Sequence, residues 1–467
     1  MKQKIPFIVT LICLFIIFIN GTINLDNLYN YSNQNIPEYI TKDNSSSSNQ
    51  INDKIATLGR VLFYDKTLSV NNTISCASCH EQNIAFTDPL TRSVGLYGGL
   101  TVRHSMRLIN ARFADEKRYF WDERSATLEE QTTEPIKDVT EMGYSGVNGS
   151  PDLNDLIDVL KNKDYYQTLF KFAFGDSEIT EHRMQIALSQ FIRSIQSFDS
   201  KYDIGRSQVN SSADDLPNFT DQENEGKLLF STPTSSGGAG CVACHRAPEF
   251  DIDPSSLNNG VTTTAGIDIL DVTNVRAPTL RDIVNPDGTL NGPLMHDGSK
   301  TTLMDVINHY NEIPNNSENT FLDPRLKGPP GSNSNQILNL TDDQKNALIA
   351  FLKTLTGVDV YTNEKWSNPF DIFGNITVTG NGLSTNEEIF NKKISVYPNP
   401  VDDKLFVEID KGNYLITIYN IEGKKVFTKK ISGKSHLYLT ALKKGIYFFK
   451  IKDNTTSKIY KKKFIKK

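Results

Sequence analysis

Cys76-Ala77-Ser78-Cys79-His80 and Cys241-Val242-Ala243-Cys244-His245 each set two thiols three positions apart, with an imidazole directly after the second. Thiols at that spacing can form thioethers to the vinyl groups of a haem while the adjacent histidine becomes the proximal iron ligand. Each run therefore reads as a c-type haem attachment site. Two other chemistries use the same spacing. A pair of Cys-x-x-Cys motifs can build one four-cysteine zinc site, and a single motif can be a redox disulfide. Neither accounts for a histidine after both second cysteines. The expectation is two covalent haems, one on Cys76, Cys79 and His80, the other on Cys241, Cys244 and His245.

The fifth cysteine, Cys13, lies in an apolar run from Ile5 to Ile19 that follows Met1-Lys2-Gln3-Lys4 and ends at Asn20-Gly21-Thr22. That pattern is a signal peptide, expected over residues 1–21. The run is shorter than the roughly 20 residues a membrane-spanning helix needs, and no later stretch competes, so no span is expected in the mature chain. An exported chain meets oxidant and haem-attachment machinery, which agrees with the haem reading.

These groups need domains to hold them, and 467 residues exceed one ordinary core. Charge divides the chain. Residues 385–467 hold 19 Lys, no Arg and 8 Asp plus Glu, a net of +11 against −5 for the whole chain. Such a reversal marks a module with a separate job. The expected domains are a polar, disordered lead-in at 22–50, rich in Asn and Ser; a first cytochrome domain at 51–205; a second at 206–358; a linker at 359–384; and the basic module at 385–467. The expected fold class is mainly α, with two c-type cytochrome domains packed together and a small all-β sandwich after them.

An internal repeat supports two haem domains. Gly59-Arg60-Val61-Leu62-Phe63 precedes the first haem motif, and Gly226-Lys227-Leu228-Leu229-Phe230 precedes the second. An aromatic and an acid follow each motif, Phe86 with Asp88 and Phe250 with Asp251. Thr220 to Glu223 and Thr341 to Gln344 read as capping boxes. The second opens a helix whose Leu348, Phe351, Leu352 and Leu355 share a face and which Gly357 should end. Ile186 to Ile192 is helical in period and reads as a core helix.

The run Leu58 to Phe63, Leu68-Ser69, the first haem motif, Ala85-Phe86-Thr87-Asp88, Phe120-Trp121-Asp122-Glu123-Arg124 and Glu141-Met142 resembles the bacterial di-haem cytochrome c peroxidase and MauG family. Ala277-Pro278-Thr279-Leu280-Arg281 and Met295-His296-Asp297-Gly298 extend the resemblance over about residues 51 to 357. It implies a peroxidatic first domain and an electron-transfer second domain. Position by position, it implies that Trp121 couples the two haems, that Gln131 is the distal glutamine and that Glu141 is the distal acid. One carboxylate could then take the proton from one peroxide oxygen and return it to the other. Without the resemblance, Glu141 would read as a solvated loop acid.

Three departures shape the expectation. Many such peroxidases carry a histidine that caps the first haem before the Arg-Asn segment, whereas none occurs between His80 and His104. An open distal position is implied. Tyr310 stands where the peroxidases commonly have methionine and MauG a tyrosine. Leu303, Val306, Ile307 and Tyr310 recur at helical spacing, so Tyr310 faces inward with them while His309 points about 100° away. An inward phenol is usually a core tyrosine; as an iron ligand, its anionic oxygen would favour oxidised over ferrous iron. Last, Arg103-His104-Ser105-Met106 has histidine in place of the asparagine that helps bind calcium in the family. Pro293 and the backbone near Asn291 remain as donors, but imidazole is a poor calcium ligand, which weakens the expectation of calcium.

In the basic module, Leu415 to Tyr419 and Ile446 to Ile451 alternate as short strands, with Gly423, Gly433 and Gly445 at turns. Tyr397-Pro398-Asn399-Pro400, Gly445-Ile446-Tyr447 and the lysine-rich end resemble a C-terminal type IX secretion sorting domain. The lysines alternate with strand residues and form no nucleic-acid motif, so no nucleic-acid partner is expected.

The combined expectation is an exported di-haem peroxidase, secreted or attached to the outer cell surface. Hydrogen peroxide is its oxidant, its electron donor is a small cytochrome, a cupredoxin or an organic substrate, and the secretion machinery is a partner. A non-enzymatic surface electron carrier would need both irons blocked, and the missing histidine before His104 argues against it. MauG-type oxidation of a partner's side chains ranks lower, because no tryptophan between Trp121 and Trp366 offers a surface relay.

Overall fold

The computed structural model describes residues 21–115, 117–264, 269–329, 334–380, 394–421, 423–455 and 459–467. The expected leader lies outside the described residues except for Gly21. The chain divides into two units, one ending at Val378 and the other running from Thr379 to Lys467 with a short segment near residue 25.

The first unit is organised by two helix crossings that repeat. Helix α1 (Asp53–Tyr64) starts at Asn52, whose side chain accepts from the Lys54 and Ile55 N–H groups, and packs on α5 (Glu181–Ser194). Helix α7 (Asp221–Ser231) packs in the same way on α9 (Asp342–Lys353), and both open with the expected capping boxes. The repeated glycines are where the backbones touch. A Cβ on Gly59 would lie 1.9 Å from the Ala187 carbonyl oxygen, and one on Gly226 would lie 1.9 Å from that of Ala347. Gly59→Ala or Gly226→Ala forces each crossing apart and should lower the unfolding free energy by about 1–3 kcal/mol. Denaturant unfolding of the haem-loaded protein checks this, and an unchanged midpoint would remove the crossing as a constraint.

The aromatic trios repeat as well. Phe63 lies 6.0 Å from Phe86 and 5.2 Å from Phe191; Phe230 lies 5.8 Å from Phe250 and 5.2 Å from Phe351. The remaining helices are α2 (Leu128–Lys137), α3 (Leu153–Lys161), α4 (Asp164–Phe174), α6 (Lys201–Arg206) and α8 (Leu303–Asn311). Long irregular segments join them.

That irregularity corrects the mainly α expectation, since α-helix is a minority of the described residues. Loops, not helices, carry most of the residues around the haem motifs. Two further expectations are corrected. The segment 22–50 is packed: Tyr31 is 0% exposed, its N–H donates to Asp53 at 2.8 Å and its hydroxyl to the Lys365 carbonyl at 2.7 Å. Asn49 donates to Ser189 at 3.0 Å. Asn44 likewise donates to the Ala111 carbonyl at 2.7 Å, so these two amides serve the fold rather than solvent. Nor is 359–378 a linker. Trp366 is 1% exposed, its indole donates to the Ser194 carbonyl at 3.1 Å, and its own carbonyl accepts the Tyr64 hydroxyl at 2.6 Å. Gly357 does not end α9, which closes at Lys353; its N–H donates instead to Asp282 at 2.9 Å.

The second unit is β-rich. Strands β1 (Ser395–Tyr397), β2 (Lys404–Glu408) and β5 (Ser435–Tyr438) form one antiparallel sheet in the order β1-β2-β5. The other sheet has the order β7-β6-β3-β4, from β3 (Tyr414–Tyr419), β4 (Lys425–Ile431), β6 (Gly445–Asp453) and β7 (Ile459–Lys466). Alternation puts Ile416, Ile418, Phe449, Ile451 and Phe464 in one core with Leu405, Val407 and Leu437. The expected start of this module, 385–393, lies outside the described residues.

Candidate functional site

His80 follows a single 3₁₀ turn that opens at Cys76. Its Nδ1 lies 3.0 Å from the Phe86 carbonyl, so Nδ1 is the protonated nitrogen and Nε2 is left to bind a metal. Phe86 is turned to present that carbonyl by a left-handed backbone, φ +57°. The second motif follows the same plan, with Phe250 at φ +55°, although the His245 Nδ1 does not reach hydrogen-bond geometry. Burial lowers His245 to about 4, so both imidazoles are neutral at pH 7, as iron ligation requires.

The four thiols are unpaired, and burial pushes Cys76, Cys79 and Cys241 up to about 12. A redox disulfide motif lowers a thiol instead. Among the described residues no three His, Cys, Asp or Glu side chains gather as a metal site. Thioether attachment with a histidine ligand fits these residues.

His80 opens onto a cavity of about 510 Å³ that Trp121, Gln131 and Glu141 also line. Three of the residues singled out by sequence thus meet beside the first haem motif. Gln131 sits on α2, which Thr127 caps; Glu141 sits on the turn after α2, its N–H donating to the Asp138 carboxylate at 3.0 Å. Burial, helped by the Asp138 charge and opposed by Arg124, raises Glu141 to about 7. The residues that sequence reasoning missed here are Asp138 and Arg124. Asp138 had a local signal in its three-residue spacing from Glu141; Arg124 had none beyond its place in the Phe120 to Arg124 run.

Trp121 is held from both halves of the unit. Its indole N–H donates to the His104 carbonyl at 2.7 Å, its own carbonyl accepts the N–H groups of Val275 and Arg276 at 2.9 and 3.0 Å, and its ring meets His296 edge-on at 6.1 Å. Arg103 ties the same junction, bonding Asp122 at 2.7 Å and Asp271 at 2.8 Å. Burial opposes ionisation of both acids, but the Arg103 hydrogen bonds outweigh it and hold both below their ordinary value.

The Ala277 to Arg281 motif positions the second site. Arg281 pairs with Asp203 through two bonds of 2.9 Å, donates to the Pro248 carbonyl at 2.8 Å and lies over the Phe250 ring. The loop after His245 is fixed by this buried pair. Tyr310, on α8, lies outside the cavity of His80; it is close enough to Cys241 and Cys244 for their charges to bear on it, and Asn259 donates to its hydroxyl at 3.2 Å. His309 is buried, with its Nε2 held 2.9 Å from the Asn259 carbonyl. At the position where calcium would require an oxygen donor, His104 spends both ring nitrogens, on the Leu90 carbonyl at 3.0 Å and the Thr87 hydroxyl at 3.3 Å. This residue does not fit a calcium ligand.

Two half-units with one haem motif each, joined through a tryptophan, define a di-haem c-type cytochrome with an acid-lined cavity at one site. A family model described as di-haem cytochrome c peroxidase matches residues 53–208, and one described as a secretion system C-terminal sorting domain matches residues 395–467. The chain is 29% identical to the methylamine utilization protein MauG of Methylophilus methylotrophus, over 66% of this chain and 84% of the relative. It is 29% identical to the cytochrome c551 peroxidase of Nitrosomonas europaea, over 66% and 81%. A solved MauG-like protein associated with microbial copper homeostasis matches with TM-score 0.56 and 29% identity, over 72% of this chain and 99% of that one. The chain carries a di-haem cytochrome c peroxidase family domain and a C-terminal secretion sorting domain, and its homologues are MauG and cytochrome c peroxidases, which agrees with a peroxidase that holds two c-type haems.

Proposed function

We propose that the protein reduces hydrogen peroxide to two waters in the cavity beside His80, drawing two electrons from an external donor through the His245 haem and two protons from solvent. Cys76, Cys79 and His80 would hold a haem, which would supply the redox chemistry for peroxide cleavage. Glu141 removes the proton from one peroxide oxygen and returns it to the departing oxygen. Gln131 orients the bound oxygens by hydrogen bonding. Trp121 carries the electron between the two sites without moving, its N–H anchored on His104. Tyr310 would supply an oxygen ligand to the iron of the haem held by His245, a MauG-like ligation.

The observation that carries this reading is that Glu141, half-buried and raised to about 7, lines the same cavity as His80. A general acid and base works best when its pKa lies near the working pH. Absorption spectra of the purified protein before and after peroxide test it: a stoichiometric change that a reduced donor reverses is expected. Spectra indifferent to peroxide would make the protein an electron carrier. The donor belongs to the class of small cytochromes, cupredoxins or organic reductants.

The tail is read as a type IX export signal that delivers the enzyme to the cell exterior. The second unit has its own core, and neither haem motif lies in it. Deleting residues 385–467 should therefore leave an active di-haem protein trapped in the periplasm. Fractionation of cells decides it, and truncated protein in the medium would refute the export role.

A further inference from the structure

Asn259 touches two possible iron ligands with one amide. Its Nδ2 lies 3.2 Å from the Tyr310 hydroxyl and 3.3 Å from the Met295 sulfur, while its Oδ1 accepts the Val261 N–H at 3.1 Å. Its carbonyl holds His309 Nε2, which takes that imidazole out of competition. Met295 is held in place as well. It is half-buried, and its backbone has φ +70°, a conformation that persists for a non-glycine residue only where the surroundings impose it. The imposing structure is a tight turn: Leu294 N–H donates to the Lys300 carbonyl at 2.8 Å and Gly298 N–H to the Met295 carbonyl at 3.1 Å. Leu294, next in the chain, packs in the same cluster as Cys241 and Val242 of the second haem motif.

We propose that Met295 is a second ligand for the iron held by His245, exchanging with Tyr310 as that haem changes redox state. The inference rests on the reading of Tyr310 as the sixth ligand. A phenolate is a hard, anionic donor suited to ferric iron, and a thioether is a soft, neutral donor suited to ferrous iron. When the peroxidase's electron donor reduces the ferric iron by one electron, the iron–oxygen bond breaks, the phenolate takes up one proton from solvent, and a sulfur lone pair forms the new bond. Oxidation reverses each change. Methionine's three rotatable bonds let the sulfur make the short excursion, and the two N–H donors of the Asn259 amide can keep both rivals in register. Asn259 is thus a positioning residue.

The test uses the full haem-loaded protein and the variants Met295→Leu, Tyr310→Phe and the double variant. Absorption, electron paramagnetic resonance and redox titration are followed at the His245 haem. Met295→Leu should leave the ferric signal as in the parent, convert the ferrous form from six-coordinate low-spin to high-spin, and lower the reduction potential. Tyr310→Phe should gain a far-red sulfur-to-iron charge-transfer band that the double variant loses completely. An altered ferric signal in Tyr310→Phe without that band, with Met295→Leu leaving the ferrous form and potential unchanged, overturns the exchange while Tyr310 remains the ligand. An unaltered ferric signal in Tyr310→Phe overturns the Tyr310 reading and the exchange with it.

Discussion

Replacing Cys76 or Cys79 by alanine will reduce peroxide turnover to background while the His245 haem stays in place. The reason is the geometry of the first motif. His80 is aimed by the Phe86 carbonyl, 3.0 Å from its Nδ1, and that carbonyl is aimed by a left-handed Phe86 whose ring packs on Phe63 at 6.0 Å. The cavity with Glu141 and Gln131 opens on His80 and not on His245. Loss of the first attachment should therefore remove the proposed peroxide-binding centre, whereas the second motif keeps its own clamp, the Arg281–Asp203 pair. Haem content should fall from two toward one, measured by haemochrome absorbance against protein. Cys241→Ala serves as the contrast, slowing delivery of electrons yet sparing the first reaction with peroxide. Full turnover by a Cys76→Ala protein with one haem would reverse the assignment of the two sites.

The haem motifs are legible because they are local: Cys-x-x-Cys-His sets two thiols and an imidazole within five residues. The repeated Gly59 and Gly226 were legible for a related reason, since a helix crossing at backbone contact tolerates only hydrogen at that position, and both crossings use the same residue. Burial of Tyr31 and Trp366 was not legible. Their partners are far away in sequence, Lys365 for Tyr31 and Ser194 for Trp366, so the surrounding Asn and Ser residues gave a solvated composition to segments that pack. The mainly α expectation failed because helical periodicity marks the crossings but says nothing of the loops that carry His80, Trp121, Glu141 and His245. Asn259 illustrates the limit within the site itself: its two rivals, Met295 and Tyr310, are joined only by the fold. The strand alternation of the second unit, by contrast, needed only neighbours, and Ile416, Ile418, Phe449 and Ile451 lie in the core as their spacing requires.

Glu141→Gln will keep both haems and slow the first reaction with peroxide by about 10² to 10⁴, the usual worth of a positioned acid and base. Glutamine preserves size and one hydrogen-bonding oxygen but can neither accept the peroxide proton nor return it. The parent protein should also show a pH dependence that the variant lacks. Burial raises Glu141 to about 7, and Asp138 pushes the same way while Arg124 pulls back. A raised carboxyl pKa means that the acid is protonated below pH 7 and ionised above it. Because the first task is to take a proton, the ionised form is the active one, and the rate should rise with pH through about 7 before levelling. Asp138→Asn removes a like charge, so the midpoint should move down; Arg124→Gln removes an opposite charge, so it should move up. Stopped-flow absorbance across pH 5.5 to 8.5, read at about half-unit steps around the pKa that burial imposes, measures all four proteins. A Glu141→Gln rate equal to the parent's, with the same pH profile, would make Glu141 a bystander and assign the proton transfer to another group in the cavity.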